Sequence, residues 1–244
     1  MQQVHFKDLN IVEYKTAWDY QEELLQQNLK VKAALRQEQL IIADDGSITT
    51  NHQPQTTNHH LLFCEHPPVY TLGKSGSMDN VLMSEQELED NHIQFFNTNR
   101  GGDITFHGLQ QIVGYPILDL EKFYTDIGKY LRSLEEVIII TIAEYGIKGD
   151  RSSGETGVWI EPGIVGKERK ICAMGVRCSR WVTMHGFALN VNTDLSYFNN
   201  IIPCGIQNKQ VTSIERELGY KVDYEEAKEK LKRNFEKVFD AELI

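Results

Sequence analysis

Residues 167–206 read KERKICAMGVRCSRWVTMHGFALNVNTDLSYFNNIIPCGI, and the alternation inside this stretch decides the fold. The runs 170–178 and 181–191 both read as strands with only Ser179 and Arg180 between them, so the simplest reading is a β-hairpin. With those two residues as the turn, Ala173 stands opposite Gly186 and Ile171 opposite Ala188, with Gly175 on the same face. Alanine and glycine where bulky residues are expected leave a slot suited to a slender ligand. A slip of one residue would carry this set to the other face. The stretch closes on Ile-Ile-Pro-Cys-Gly-Ile, where Pro203 fixes its own φ and Gly205 tolerates close approach, which puts the Cys204 thiol on a tight turn. Taken singly, Cys204 reads as a small buried hydrophobe, Lys170 as a solvated strand end and His185 as a core or turn residue. Their combination with the slot points instead to a site.

A second motif, RGGDITFHGLQQIVGYP, spans 100–116. Gly101 and Gly102 permit a turn with exposed amides, and 104–107 then reads as a short strand. Its spacing matches neither the Walker loop nor the dinucleotide fingerprint. RGG-x-x-T-x-H, K-I-x-A-x-G-V-R, H-G-F-A-L-N-V and P-C-G-I, in this order, resemble the lipoyl(octanoyl) transferases of the biotin/lipoate protein ligase fold, over roughly 61–212. A segment EHPPVYTLG at 65–73 is similar too.

The resemblance implies an α/β (α+β) fold: a mixed, largely antiparallel sheet flanked by helices. It implies transfer of an octanoyl group from octanoyl-acyl carrier protein to a specific lysine of lipoyl domains, the first step of protein lipoylation. The acceptors it implies are the lipoyl domains of 2-oxo acid dehydrogenase complexes and the glycine cleavage H protein. Cys204 would carry the acyl group as a thioester, with Lys170 as its partner. Substrate contacts would come from Arg100, Gly101, Gly102, Asp103, Ile104, Thr105, Phe106 and His107, from Ala173, Met174 and Gly175, and from His185, Gly186, Phe187 and Ala188. One departure concerns the loop: where the family pattern continues His-Gly-Pro-Gly-Gln, this chain has His107-Gly108-Leu109-Gln110-Gln111.

The chemistry explains the residue types. A free thiol is only about 3% thiolate at pH 7, and an ammonium a few ångströms away favours the anion. Lys170 is the candidate for that charge; His185 and His107 could orient groups or polarise a carbonyl, and amides near Gly205 could hold the oxyanion. No cofactor, ATP or metal is expected, because a donor thioester is already activated. Three rivals remain open: an ATP-dependent lipoate or octanoate ligase of the same fold, a cysteine thioesterase using Cys204 and His185, and a non-catalytic scaffold for acyl carrier proteins.

With 244 residues the chain can bury one substantial core, and nothing in 1–244 reads as an interdomain linker, so a single domain is expected. A formal charge of −10 argues against general nucleic-acid binding. Against that background, 167–180 holds Lys167, Arg169, Lys170, Arg177 and Arg180, a local basic patch suited to an acidic partner. The start lacks the pattern of a secretory signal, and the longest apolar run, near 137–143, is too short to span a bilayer, so no membrane association and a cytoplasmic location are expected. Four cysteines without a Cys-x-x-Cys pair fit a reduced compartment.

Elsewhere the periodicity predicts helices over 14–40, 84–91 and 125–145. Strands are expected at 60–65, 93–97, 113–119 and 158–161. The polar segment 43–60 reads as a flexible insertion, and its histidines lack metal-ligand spacing. A capping box at 212–215 opens a short helix that Gly219 ends, and Asp223 caps a terminal helix over 223–240.

Overall fold

The computed structural model describes residues 1–45, 56–202 and 210–244, and of 38–45 the backbone alone. The chain begins with β1 (Gln2–Ile11), α1 (Tyr14–Asp45), β2 (His59–Glu65), β3 (Val69–Leu72), α2 (Glu85–Asp90), β4 (Gln94–Asn97), β5 (Ile104–His107) and β6 (Gln111–Ile117). It continues with α3 (Ile127–Ala143), β7 (Gly149–Asp150), β8 (Val158–Ile160), β9 (Arg169–Ser179) and β10 (Val182–Asn190). After the catalytic-candidate segment come β11 (Gln210–Val211), α4 (Ile214–Leu218), α5 (Tyr224–Phe239) and β12 (Ala241–Leu243).

A nine-stranded mixed sheet runs β12-β1-β2-β6-β10-β9-β8-β7, with β11 added beside β9. Its central pairs β2–β6, β6–β10, β10–β9 and β9–β8 are antiparallel, while β1 lies parallel to both β2 and β12. A smaller sheet, β4-β3-β5, carries the end of the RGGDITFH motif. Helix α1 covers one face of the large sheet, where Ala17, Leu24 and Leu25 pack with Tyr115, Met184 and Ala188. On the other face α3 and α5 supply Leu134, Val137, Ile138, Leu231 and Phe235 to a core shared with Phe63 and Leu189. The fold class expected from the motifs is the one observed.

Helix boundaries follow local chemistry. Asp126 accepts from the Lys129 amide to start α3, two residues inside the expected 125, and Gly146 takes φ +77° beyond its end. Asp223 caps α5 as expected. At α4 the cap is Ser213, not Thr212; the Thr212 hydroxyl donates to Glu217 instead, at 2.6 Å. The expected insertion at 43–60 is shorter at both ends: α1 continues to Asp45 and β2 starts at His59. The side chain of Asn28 pairs with the backbone of Asn58, at 2.7 and 2.8 Å, and fastens the returning chain to α1. The rest of the segment, 46–55, lies outside the described residues.

The hairpin exists with a different turn. Arg180 and Trp181 occupy it, both at positive φ (49° and 67°), the shape that suits the twist of two-residue hairpins. Ala173 therefore stands opposite Ala188 and Gly175 opposite Gly186, so the expected pairs Ala173–Gly186 and Ile171–Ala188 are corrected by two residues. Because the side-chain period is two, the small residues remain on one face together. The reason for the choice lies outside the hairpin: the Trp181 carbonyl accepts from the Leu120 amide at 2.7 Å, and Val182 bridges to Asp119.

Lys32 of α1 is buried, its Nζ 2.5 Å from Asp119 Oδ1 and 2.9 Å from Glu121 Oε2. Asp119 also accepts from the Thr57 hydroxyl at 2.9 Å. Removing the ammonium strands a buried carboxylate, so Lys32→Met is expected to lower unfolding stability by roughly 3–5 kcal/mol, measured by urea denaturation. An unchanged midpoint would show that α1 is held by its apolar face alone.

Candidate active site

The RGG turn lies directly on the hairpin. The Gly101 amide donates to the Val176 carbonyl at 2.9 Å, and a Cβ on Gly175 would stand 2.6 Å from the Gly101 oxygen. Gly175 is thus small because backbone approaches it, not only to open a slot. Gly186 is likewise pressed by β6: a Cβ there would meet the Gly114 oxygen at 2.1 Å. The other side of the turn is held by the chain after β3, since the amides of Gly73, Lys74 and Ser75 donate to Asp103, Arg100 and Gly102. The Asp103 carboxylate accepts from the Asn80 side chain at 2.7 Å.

A line of buried polar groups runs behind the turn. Arg100 donates to the Thr71 hydroxyl at 2.9 Å, and that hydroxyl lies 3.3 Å from His107 Nε2. His107 Nδ1 donates to Gln111 Oε1 at 2.9 Å, and the Gln111 amide donates to Asn190 Oδ1 at 2.8 Å. Asn190 then donates to the Thr212 carbonyl at 3.0 Å. Burial is the main force holding His107 well below the ordinary histidine range, reinforced by neighbouring His66. His185 is pushed down to about 3, first by burial and then by Arg100 and Arg177. Its Nε2 donates to Asn99 Oδ1 at 2.7 Å, which leaves Nδ1 a buried lone pair without a hydrogen-bond partner. His185 also holds φ +57° inside β10, strain of the kind that gathers at functional sites.

These elements enclose a cavity of about 560 Å³. Of the residues expected to contact substrate, Arg100 to Thr105, His107, Ala173 to Gly175 and His185 to Ala188 line it. Phe106 does not: it stacks on Tyr197 with ring centres 4.5 Å apart, in the core beneath the small sheet. Its side chain is thus placed in packing and not at the cavity wall. Tyr14, Tyr115 and Asn190 line the cavity without having been singled out in the sequence. Tyr14 stacks on His107 at 6.0 Å and is the first residue of α1, where nothing local separates it from a core aromatic.

Lys170 also lines the cavity, with Nζ 4.5 Å from the Trp159 ring centre. Opposite it, Val211 of β11 pairs with Lys170, and the Thr212 amide donates to the Lys170 carbonyl at 2.9 Å. Cys204, with Pro203 and Gly205, lies outside the described residues. On the side preceding it, the Ile202 amide donates to the Asn80 carbonyl at 2.9 Å. In the loop that departs from the family pattern, Gln110 takes φ +61°, the conformation for which glycine is favoured, at a cost of about 1 kcal/mol. Its amide donates to Glu65 and its carbonyl accepts from Asn192 and Thr193, which offsets that cost. The basic patch is weaker than its sequence suggests: Arg169 is paired with Glu161 and Glu217, and Arg177 with Glu22. Among the described residues no cluster of histidine, cysteine and carboxylate could hold a metal ion, and no helix is long and apolar enough to cross a membrane.

Comparison with known proteins follows the same lines. The family model for the lipoyl protein ligase A/B catalytic domain matches residues 13–236. A protein of Flavobacterium psychrophilum named octanoyltransferase is 57% identical over 242 residues, covering 99% of this chain and 98% of its own. One of Christiangramia forsetii with the same name is 54% identical, covering 99% and 97%. Among solved structures, the bipartite lipoate protein ligase of Thermoplasma acidophilum superposes with a TM-score of 0.66 at 15% identity, covering 100% of this chain and 86% of that one. A lipoate-protein ligase A bound with ATP gives 0.64 at 12% identity, covering 100% and 87%; both likenesses concern the fold.

The histidines make a pH prediction. The folded state keeps His185 and His107 neutral, whereas the unfolded chain protonates them near the ordinary value of 6.5. Below that value the unfolded state binds more protons, so stability should fall as pH drops from 6.5 towards the lowered folded values. The urea midpoint is expected to decline between pH 6.5 and 5, less steeply in His185→Gln. The imidazole proton resonances of His185 and His107 in the folded protein should not titrate in that window; a midpoint near 6.5 for either ring would contradict the burial argument.

Proposed function

Because the chain belongs to the lipoyl protein ligase A/B catalytic domain family, we propose that it is an octanoyltransferase acting through a covalent thioester on Cys204. The donor in this reading is octanoyl-acyl carrier protein and the acceptor a lysine of a lipoyl domain, either of a 2-oxo acid dehydrogenase complex or of the glycine cleavage H protein. The thiolate of Cys204 adds to the donor carbonyl, and the tetrahedral intermediate expels the carrier's thiolate, which takes the proton of the Lys170 ammonium and leaves that lysine neutral. The octanoyl group then remains as a thioester on Cys204. The acceptor amine adds to the same carbonyl, loses a proton and expels the Cys204 thiolate, leaving an amide. Lys170 serves the first half as an ammonium that favours the thiolate, and the second as a neutral amine that receives the proton. Those two roles need different protonation states of the same lysine.

The observation that carries this reading is the placement of Lys170. Its side chain lines the same cavity as the RGG turn and the small-residue hairpin, and the strand that follows Cys204 in the chain pairs with it directly. A cavity of about 560 Å³ lies within the range of small-molecule sites, about 300–1,000 Å³. Burying roughly six methylenes at about 0.8 kcal/mol each contributes about 5 kcal/mol, enough to prefer a medium chain to acetyl. His185 Nδ1, neutral and unpartnered, offers an acceptor to a donor group of the substrate.

Intact-mass measurement after mixing with octanoyl carrier protein should show an octanoyl increment, lost in Cys204→Ala and kept in Cys172→Ala. Activity of Cys204→Ala with ATP and free octanoate would favour the ligase, stoichiometric release of octanoate the thioesterase, and binding without an increment the scaffold. Lys170→Ala should acylate about thirtyfold more slowly at pH 7 and recover much of the loss near pH 9, where an unassisted thiol ionises. Ala188→Leu, which fills the slot, should shift the preferred donor from octanoyl towards hexanoyl in competition assays; an unchanged preference would place the acyl chain elsewhere.

A further inference from the structure

Glu135 is the unexplained residue of α3. Its side chain has no exposure, on a helix face that otherwise presents Leu134, Val137 and Ile138 to the core. An apolar residue would fill such a position without desolvating a charge. The carboxylate instead collects donors: Gly157 N at 3.0 Å and Arg132 Nη2 at 2.8 Å on Oε1, and Arg151 Nε at 3.1 Å on Oε2. Arg151 reaches on to Glu136 at 2.6 Å and to the Arg132 carbonyl at 3.0 Å, closing a clasp between α3 and the start of the loop. Burial raises the Glu135 pKa, and the Gly157 amide and the two arginines oppose that rise.

The loop held this way leads to the site. Between the Arg151 and Gly157 anchors, Gly154, Glu155 and Thr156 line the cavity. Gly157 has φ +116°, and a Cβ there would stand 2.5 Å from the Cys172 carbonyl oxygen and 3.6 Å from Lys170 Cδ and Cε. Immediately after it, Val158 pairs with Cys172 and Trp159 with Lys170, with an irregularity between the two pairs. That irregularity sets where the Trp159 ring lies, and Lys170 Nζ sits over that ring.

We infer that Glu135 is a positioning residue for Lys170: its carboxylate fixes the Gly157 amide against β9, and so fixes the strand entry and the Trp159 ring that hold the lysine stem and ammonium. The inference rests on the proposed role of Lys170. It makes the buried carboxylate a part of the acylation machinery that acts through Lys170.

The test is a double-mutant cycle on single-turnover acylation by octanoyl carrier protein, in the full chain, with thermal midpoints recorded alongside. In Glu135→Gln, which keeps shape and loses the charge facing Arg151, the maximal acylation rate should fall about tenfold to a hundredfold, the scale of an ångström's misplacement, with little change in half-saturating donor. In a Lys170→Ala background the same substitution should cost nothing further. Equal fold-losses in both backgrounds, or no loss in folded Glu135→Gln, would overturn the inference while leaving the role of Lys170 intact. Should Glu135→Gln fail to fold, Arg151→Met removes the outer arm of the clasp and must show the same non-additivity. Wild-type acylation by Lys170→Ala alone would remove the premise, and is read without any Glu135 variant.

Discussion

Backbone lying on backbone at the glycines is the constraint on which the site depends. The Gly101 amide reaches the Val176 carbonyl only because Gly175 has no side chain to hold the turn away. Gly186 allows the same closeness between β10 and β6, where Phe187 of β10 in turn covers Gly114. These contacts dock the small sheet and its turn onto the large one, and the cavity is the space they leave between Arg100–His107 and the hairpin. Side chains that would fill that space are missing for a reason that belongs to the scaffold, and the cavity is its consequence.

The walls of that space are tied together by a line of hydrogen bonds that begins at one charged group, the Arg100 guanidinium, and continues through neutral ones. From Arg100 through Thr71, His107, Gln111 and Asn190 to Thr212, each group satisfies the next, so burial of several polar side chains is tolerated. Desolvation makes both site histidines neutral, which suits orienting or accepting roles and leaves the proton chemistry of a transfer reaction to other groups. The line ends at Thr212, whose amide is bonded to the Lys170 carbonyl, so the turn and the lysine strand are parts of one connected unit.

Several departures of the structure from the sequence reading trace to a partner distant in the chain. The hairpin turn moved by one residue because the 118–120 segment bonds to it. Strand β1 passed unnoticed because its residues show no clean alternation, and its partners are at 59–65 and 241–243. Thr212 looked like a cap because Glu215 follows at the right spacing; Glu217, drawn to Arg169, took its hydroxyl. Phe106 sits among residues that line the cavity, but its ring turns into the core beside Tyr197. The cationic run 167–180 looked basic because its neutralising carboxylates, Glu22, Glu161 and Glu217, are not adjacent to the cations they pair with.

By itself the sequence determined the architecture and the family, because four ordered motifs and the two periodicities report the local backbone that each residue can adopt. It also determined which face of the hairpin is bare, since a register error of two residues leaves the faces unchanged. Only the tertiary structure decided what that bareness is for, how the histidines are protonated, and that Tyr14, Tyr115 and a buried Glu135 belong to the surroundings of the site. Those properties arise from desolvation and from contacts across long sequence separations, and such contacts exist only once the sheet has closed.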